Sequence, residues 1–285
     1  MRPSPRSLLL VTCLLAGCRT AREAPAAQAK ADCGPVIAGM EAVLKPAAFV
    51  VLGEIHGTRE APAFAARLAC HAAVSGQPVR LALELPVEDQ AHLDAFTAGE
   101  TQGPPDSPFW HREAQDGRGS EAMRGLLERV RELRRAGLPV RVVAFDPGGK
   151  DRDNTMAEQL RQARSQARED TFIVLVGNYH ARRDVGAPWD EKLQFMTHRL
   201  LEAEPGLVSL DVVNAGGSAW VCRGMTADTC GQQPLRSRGE AQAEGILLQK
   251  KADDPDSYDG TYSVGVMTAS PPAFGAPSTA TPAPR

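Results

Sequence analysis

The sequence predicts an α/β fold, a single domain with a mostly parallel central β-sheet flanked by helices, in which the late strands are free to run antiparallel. Three observations carry this. Short apolar runs rich in β-branched residues recur at Ala47 to Leu52, Val79 to Pro86, Pro139 to Phe145 and Thr171 to Val176, the composition of strands buried on both faces. Stretches with helical spacing lie between them. Polar residues then appear abruptly where each run ends, at Glu54, Glu84, Asp146 and Asn178. That is the carboxyl edge of a parallel sheet, where diverging loops leave a crevice for ligands.

Taken in order, a short helix is expected from Gly34 to Leu44, before the first strand. Arg59 to Ser75 carries Phe64, Leu68 and Ala72 at helical spacing, with Gly76 as its stop. After the second strand, Glu88 to Ala98 reads as a helix, and Gly99 to Gly119 as a long polar insertion. A connection of that length in a compact domain is uncommon unless it covers something. Ser120 to Ala136 is amphipathic, with Leu126, Leu127, Val130 and Leu133 inward. The third strand ends at Asp146-Pro147-Gly148-Gly149, and Asp151 to Ala167 follows as a helix with an acidic start that suits the helix dipole. Beyond the fourth strand, Asp190 to Ala203 is expected to be helical. Leu207 to Val213, Ala219 to Cys222 and Tyr262 to Met267 are expected to be late strands.

At 285 residues with 42% hydrophobic composition, the chain can bury one substantial core. A net charge of −3 offers no basic field, so nucleic acid is excluded as an expected partner. The segment 1–18 reads as a signal: Arg2 and Arg6 precede an apolar run from Leu8 to Leu15 that is too short to span a bilayer. Leu15-Ala16-Gly17-Cys18 resembles a bacterial lipobox, which implies cleavage before Cys18 and acylation of it. Arg19 stands where some lipoproteins carry an inner-membrane retention Asp. The expected location is therefore a lipid anchor in the bacterial cell envelope, at the outer membrane. Residues 19–32 read as a tether, 33–269 as the domain, and 270–285 as a disordered tail rich in proline. In that oxidising compartment Cys33, Cys70, Cys222 and Cys230 suggest two disulfides, with Cys222 and Cys230 closing a local loop and Cys33 pairing with Cys70.

The chemistry concentrates in two matched segments. Gly53-Glu54-Ile55-His56 closes the first strand, and Gly177-Asn178-Tyr179-His180 closes the fourth. A single strand-end histidine more often caps a loop, but a repeated Gly-x-x-His with Glu84 on the strand between them points to function. Two histidines and two carboxylates can serve as acid and base, or hold a divalent metal (Zn, Mn or Co) through His56, His180, Glu54 and Glu84. This ordered set resembles the superfamily of the erythromycin esterases, the ChaN-like haem-binding lipoproteins, the TraB proteins and the Tiki proteases. The shared pattern is two Gly-x-x-His motifs, a glutamate and an arginine. The resemblance runs from about Ala47 to His180. It implies catalytic roles for His56, His180, Glu54 and Glu84, with Arg118 as the arginine and Arg152 as its rival. The function it implies is a lipid-anchored hydrolase of an ester or amide bond in a small-molecule or peptide substrate. The alternative is a ChaN-type haem or iron lipoprotein involved in uptake, for which Tyr179 is the candidate cofactor-binding residue.

Overall fold

The computed structural model describes residues 31–103, 105–238, 243–250 and 256–275. The expected signal, Cys18 with its expected acylation, and the expected tether up to residue 30 lie outside the described residues.

Four strands form the core of the sheet: β1 (Phe49–Glu54), β2 (Val79–Pro86), β3 (Val140–Asp146) and β4 (Thr171–Gly177). A short hairpin, β5 (Val185–Ala187) and β6 (Asp190–Gln194), follows β4. Then come β7 (Val208–Val213), a second hairpin of β8 (Gly217–Cys222) and β9 (Cys230–Leu235), and finally β10 (Gly245–Leu247) and β11 (Gly260–Ser263). The helices are α1 (Met40–Val43), α2 (Glu60–Val74), α3 (Gln90–Ala98), α4 (Glu121–Arg135), α5 (Arg152–Gln166) and α6 (Met196–Leu200).

The main sheet has seven strands in the order β10-β11-β7-β1-β4-β2-β3. All its pairings are parallel except β10 against β11. β1 and β4 lie side by side at the centre and are buried at every position, as their unbroken apolar runs require. Alternate residues serve opposite layers. Val50, Leu52, Leu81, Leu83, Ile173 and Leu175 pack under Phe64 and Leu68 of α2 and Leu126, Leu127 and Val130 of α4. Val51, Ala82, Phe172, Val174 and Val176 pack against Met156 and Leu160 of α5 and Met196 and Leu200 of α6. The Cys33–Cys70 disulfide ties the start of the domain to α2, and Cys222–Cys230 joins β8 to β9.

The edge strand β3 is closed by one side chain. Gln90 of α3 donates to the Val142 carbonyl at 3.1 Å and accepts from the Ala144 amide at 2.7 Å, which occupies backbone groups that a further strand would use.

Several expectations need correction. Asp190 to Ala203 is not one helix, because its first residues form β6 and only Met196–Leu200 is helical. The nearly uniform polarity from Asp190 to Lys192 carries no period, while Gly186 at φ 100° permits the tight return of the hairpin. The helix expected from Gly34 to Leu44 is confined to Met40–Val43. The strand expected from Tyr262 to Met267 lies earlier, at Gly260–Ser263, and β8 pairs with β9 outside the main sheet. The tail does not begin at residue 270. Ser270 is fully buried, its amide donates to the Gly57 carbonyl, its hydroxyl accepts from the Ala122 amide, and Phe274 packs edge-on against Trp110. The rest of the expected tail, 276–285, lies outside the described residues.

Candidate active site

The carboxyl ends of β1, β2 and β4 converge on a cavity of about 400 Å³. β1 supplies Glu54 and, one extended step on, His56; β2 supplies Glu84; the turn after β4 supplies Asn178, Tyr179 and His180. Arg118, from the polar insertion, and Arg152, from the first turn of α5, close the floor. The two histidines of the matched segments thus face one cavity.

His56 is held from both sides. Its Nδ1 lies 2.9 Å from Glu54 Oε1, and its Nε2 lies 3.4 Å from Glu84 Oε2. Burial opposes the imidazolium, but the charge of Glu84 and the hydrogen bonds that His56 donates to both glutamates outweigh it, and the pKa rises from 6.5 to about 10. Glu84, almost wholly buried, also accepts the Gly177 amide at 2.8 Å. Its burial opposes the carboxylate, yet His56, His180 and Arg118 together hold its pKa well below the ordinary carboxylate value. A Cβ on Gly177 would stand 2.9 Å from His56 Nε2 and would push the imidazole from its place.

The arginines lock the carboxylates together. Arg152 grips Asp146 with Nε at 2.9 Å and Nη2 at 2.6 Å, a two-point contact, and pairs with Glu84 Oε1. Arg118 reaches Asp146 at 2.8 Å, Glu84 at 3.3 Å and Asp116 at 2.8 Å. Burial works against charge on Asp146 as well, but its contacts with Arg152, the Gly148 amide and Arg118 lower its pKa. The polar insertion is thus a structural wall of the cavity. Gly117 lies so close to Gly57 that a side chain on it would collide with the Gly57 backbone.

His180 has its own carboxylate. Its Nδ1 lies 2.7 Å from Asp153 Oδ1, which also accepts the Met196 amide, while its Nε2 lies 3.4 Å from Arg152 Nη1. Asp153 is the residue that sequence reasoning missed, because it falls within the acidic start of a helix and carries no motif. The signal was positional: α5 starts directly after the carboxyl end of β3, so its first turn must meet the same edge. By that rule Arg152 and Asp153 both enter the site. Arg152 joins Arg118 there and does not compete with it for one role.

The expected metal set is not assembled as ligands. Among the described residues no group of three or more His, Cys, Asp or Glu side chains is arranged to hold a metal ion. Glu54 and Glu84 point their oxygens at His56, and two guanidiniums occupy the positions around Glu84 and Asp146 that a cation would need. Tyr179 lies at the rim of the cavity, 49% exposed. The other two tyrosines are buried, with Tyr258 donating to the Asn178 carbonyl and Tyr262 to that of Gly53.

No protein-family model and no curated protein sequence matches the chain. Solved structures do. A succinoglycan biosynthesis protein superposes with a TM-score of 0.58 at 8% identity, over 81% of this chain and 91% of that one. A mutant of the erythromycin esterase EreC in its open conformation gives 0.57 at 10% identity, over 80% and 92%. The ChaN protein of Campylobacter jejuni, with cofacially bound haem, gives only 0.33 at 12% identity, over 70% and 91%, too slight a likeness to build on. The chain therefore shares its fold with the solved erythromycin esterase and succinoglycan biosynthesis structures, the architecture that its paired Gly-x-x-His segments led us to expect.

Proposed function

We propose that the protein is a hydrolase that cleaves an ester or amide bond by acid–base chemistry between His180 and His56. One observation carries the reading: each histidine has its Nδ1 held by its own carboxylate, and both face one cavity that also contains two guanidiniums. Asp153 fixes the Nδ1–H tautomer of His180 and leaves the Nε2 lone pair to take a proton from water. The water oxygen bonds to the substrate carbonyl carbon. Arg118 and Arg152 are placed to donate to the oxyanion that develops. His56, protonated at neutral pH, gives its proton to the departing alkoxide or amine as the old bond breaks. Solvent then returns a proton to His56 and takes one from His180.

Glu54 and Glu84 serve here as the groups that keep His56 charged. That makes His56 the acid of the pair, since a group with a pKa near 10 donates protons at neutral pH. Hydrolysis of ethyl acetate, whose alkoxide must be protonated as it leaves, by the purified protein tests the reading. His180→Asn and His56→Gln should each lower kcat by about 100-fold or more. Undiminished turnover in either variant would remove that histidine from the mechanism.

The same protein is proposed to be anchored by a lipid on Cys18 in the cell envelope. Two disulfides suit an oxidising compartment, and no described helix is long and apolar enough to cross a membrane. Fatty-acid labelling that survives in Cys18→Ala would refute the anchor. The second reading, haem binding, rests on the exposed phenol of Tyr179 at the rim. No Soret shift on adding haem to the purified protein would count against it.

A further inference from the structure

The aromatic residues are distributed unevenly. The chain has three tryptophans and three tyrosines. Trp110 and Trp220 are 0% and 7% exposed, and Tyr258 and Tyr262 are buried. The remaining tryptophan, Trp189, is 65% exposed, and it packs on the remaining tyrosine, Tyr179, with ring centroids 5.4 Å apart at 63°. Beneath them Phe195, 1% exposed, sits 6.3 Å from the Tyr179 ring and anchors the pair to the core. Tyr179 lines the cavity between Asn178 and His180, and Trp189 follows Pro188 at the turn of the β5–β6 hairpin. The only exposed tryptophan and the only exposed tyrosine are therefore neighbours at the mouth of the candidate active site.

We propose that Tyr179 and Trp189 form a substrate subsite that stacks against the apolar face of an uncharged ring in the ester or amide. The proposal rests on the hydrolase reading and adds a substrate class to it. Large exposed aromatic surface is costly in water and stacks readily on flat partners. Charged groups cluster around the histidines, with Glu84, Asp116, Arg118 and Arg152 beside them and only Ile55, Val221 and Cys222 as apolar lining away from Tyr179. A substrate that fills the site must put its scissile carbonyl there and its apolar part at the rim. A cationic ligand fits poorly: cation cages need several aromatic walls, whereas this pair offers two and lies beside two guanidiniums. The ring can be aromatic or that of a sugar, since both present an apolar face.

The test uses the purified protein and two readouts. Acrylamide quenching of tryptophan fluorescence reports mainly Trp189, because the other two tryptophans are buried. Benzyl alcohol and methyl β-glucoside are the ring probes for the aromatic and sugar arms. Benzyl acetate, an acetylated methyl glucoside and ethyl acetate are the substrates. One ring probe should shield Trp189, and Trp189→Ala should lower kcat/KM for the matching acetate about tenfold while ethyl acetate changes by less than about twofold. Trp189→Phe should recover most of the loss. Shielding by benzyl alcohol alone assigns an aromatic ring, and by the glucoside alone a sugar. No shielding by either probe overturns the proposal, as does shielding with the ring-to-ethyl ratio unchanged in Trp189→Ala. Shielding in a protein that hydrolyses none of the acetates would instead sink the hydrolase reading and leave a ring-binding site.

Discussion

Two histidines with the same local motif have opposite surroundings. His56 lies between two glutamates, whereas His180 has one aspartate on Nδ1 and a guanidinium near Nε2. The consequence for pH follows from the raised pKa of His56. Between its ordinary value of 6.5 and about 10, the folded protein holds a proton that the unfolded chain has released. Stability from this group is therefore complete below about 6.5 and lost as pH rises through about 10. Urea midpoints across that range should fall with pH in the wild type and fall less in His56→Gln. Turnover should also decline above about pH 10, where the acid loses its proton. Asp153→Asn should cut kcat by at least about tenfold with little change in KM, because it disturbs the tautomer of His180 and touches no substrate. At this scale the sequence was informative where residues repeat. His56, His180, Glu54 and Glu84 announce themselves by motif, whereas Asp153 has no motif and is found only through the position of α5.

The elements meet at backbone contacts too close for side chains. Gly57, at φ 74°, lies against the Trp220 carbonyl, and Gly117, at φ 93°, lies against Gly57. The loop after β1 is thus clasped between the polar insertion and the β8–β9 hairpin. Gly57→Ala should destabilise the domain by about 1–3 kcal/mol, read from urea denaturation, and a wild-type midpoint would show that the clasp yields freely. Gly177→Ala should leave the sheet intact but press on His56, so activity should fall more than stability. β1 and β4 were legible because unbroken apolar runs have one reading in a parallel sheet, and β2 and β3 because only single charged residues interrupt otherwise apolar runs. The β5–β6 hairpin was not, because a solvated two-stranded ribbon of polar residues leaves no period to read.

Across the whole molecule, one sheet separates two apolar layers and collects its chemistry at one edge. The Cys33–Cys70 link spans 37 residues, and replacing both cysteines with serine should cost about 4 kcal/mol if loop closure dominates. A loss below about 1 kcal/mol would mean that α2 is placed by packing alone. Both disulfides and the parallel order were legible in the chain; the packed course of residues 270–275 was not, because the anchors of Ser270 and Phe274 are tertiary and leave no local mark. The same sheet has a free flank at β3, and there Gln90 has a colloidal consequence. Its amide imitates the ladder of a missing strand, so another chain arriving at this flank finds two of its hydrogen-bonding positions already taken. That single side chain is therefore expected to hinder edge-to-edge association of copies. Gln90→Leu should keep the fold yet scatter light increasingly at high protein concentration.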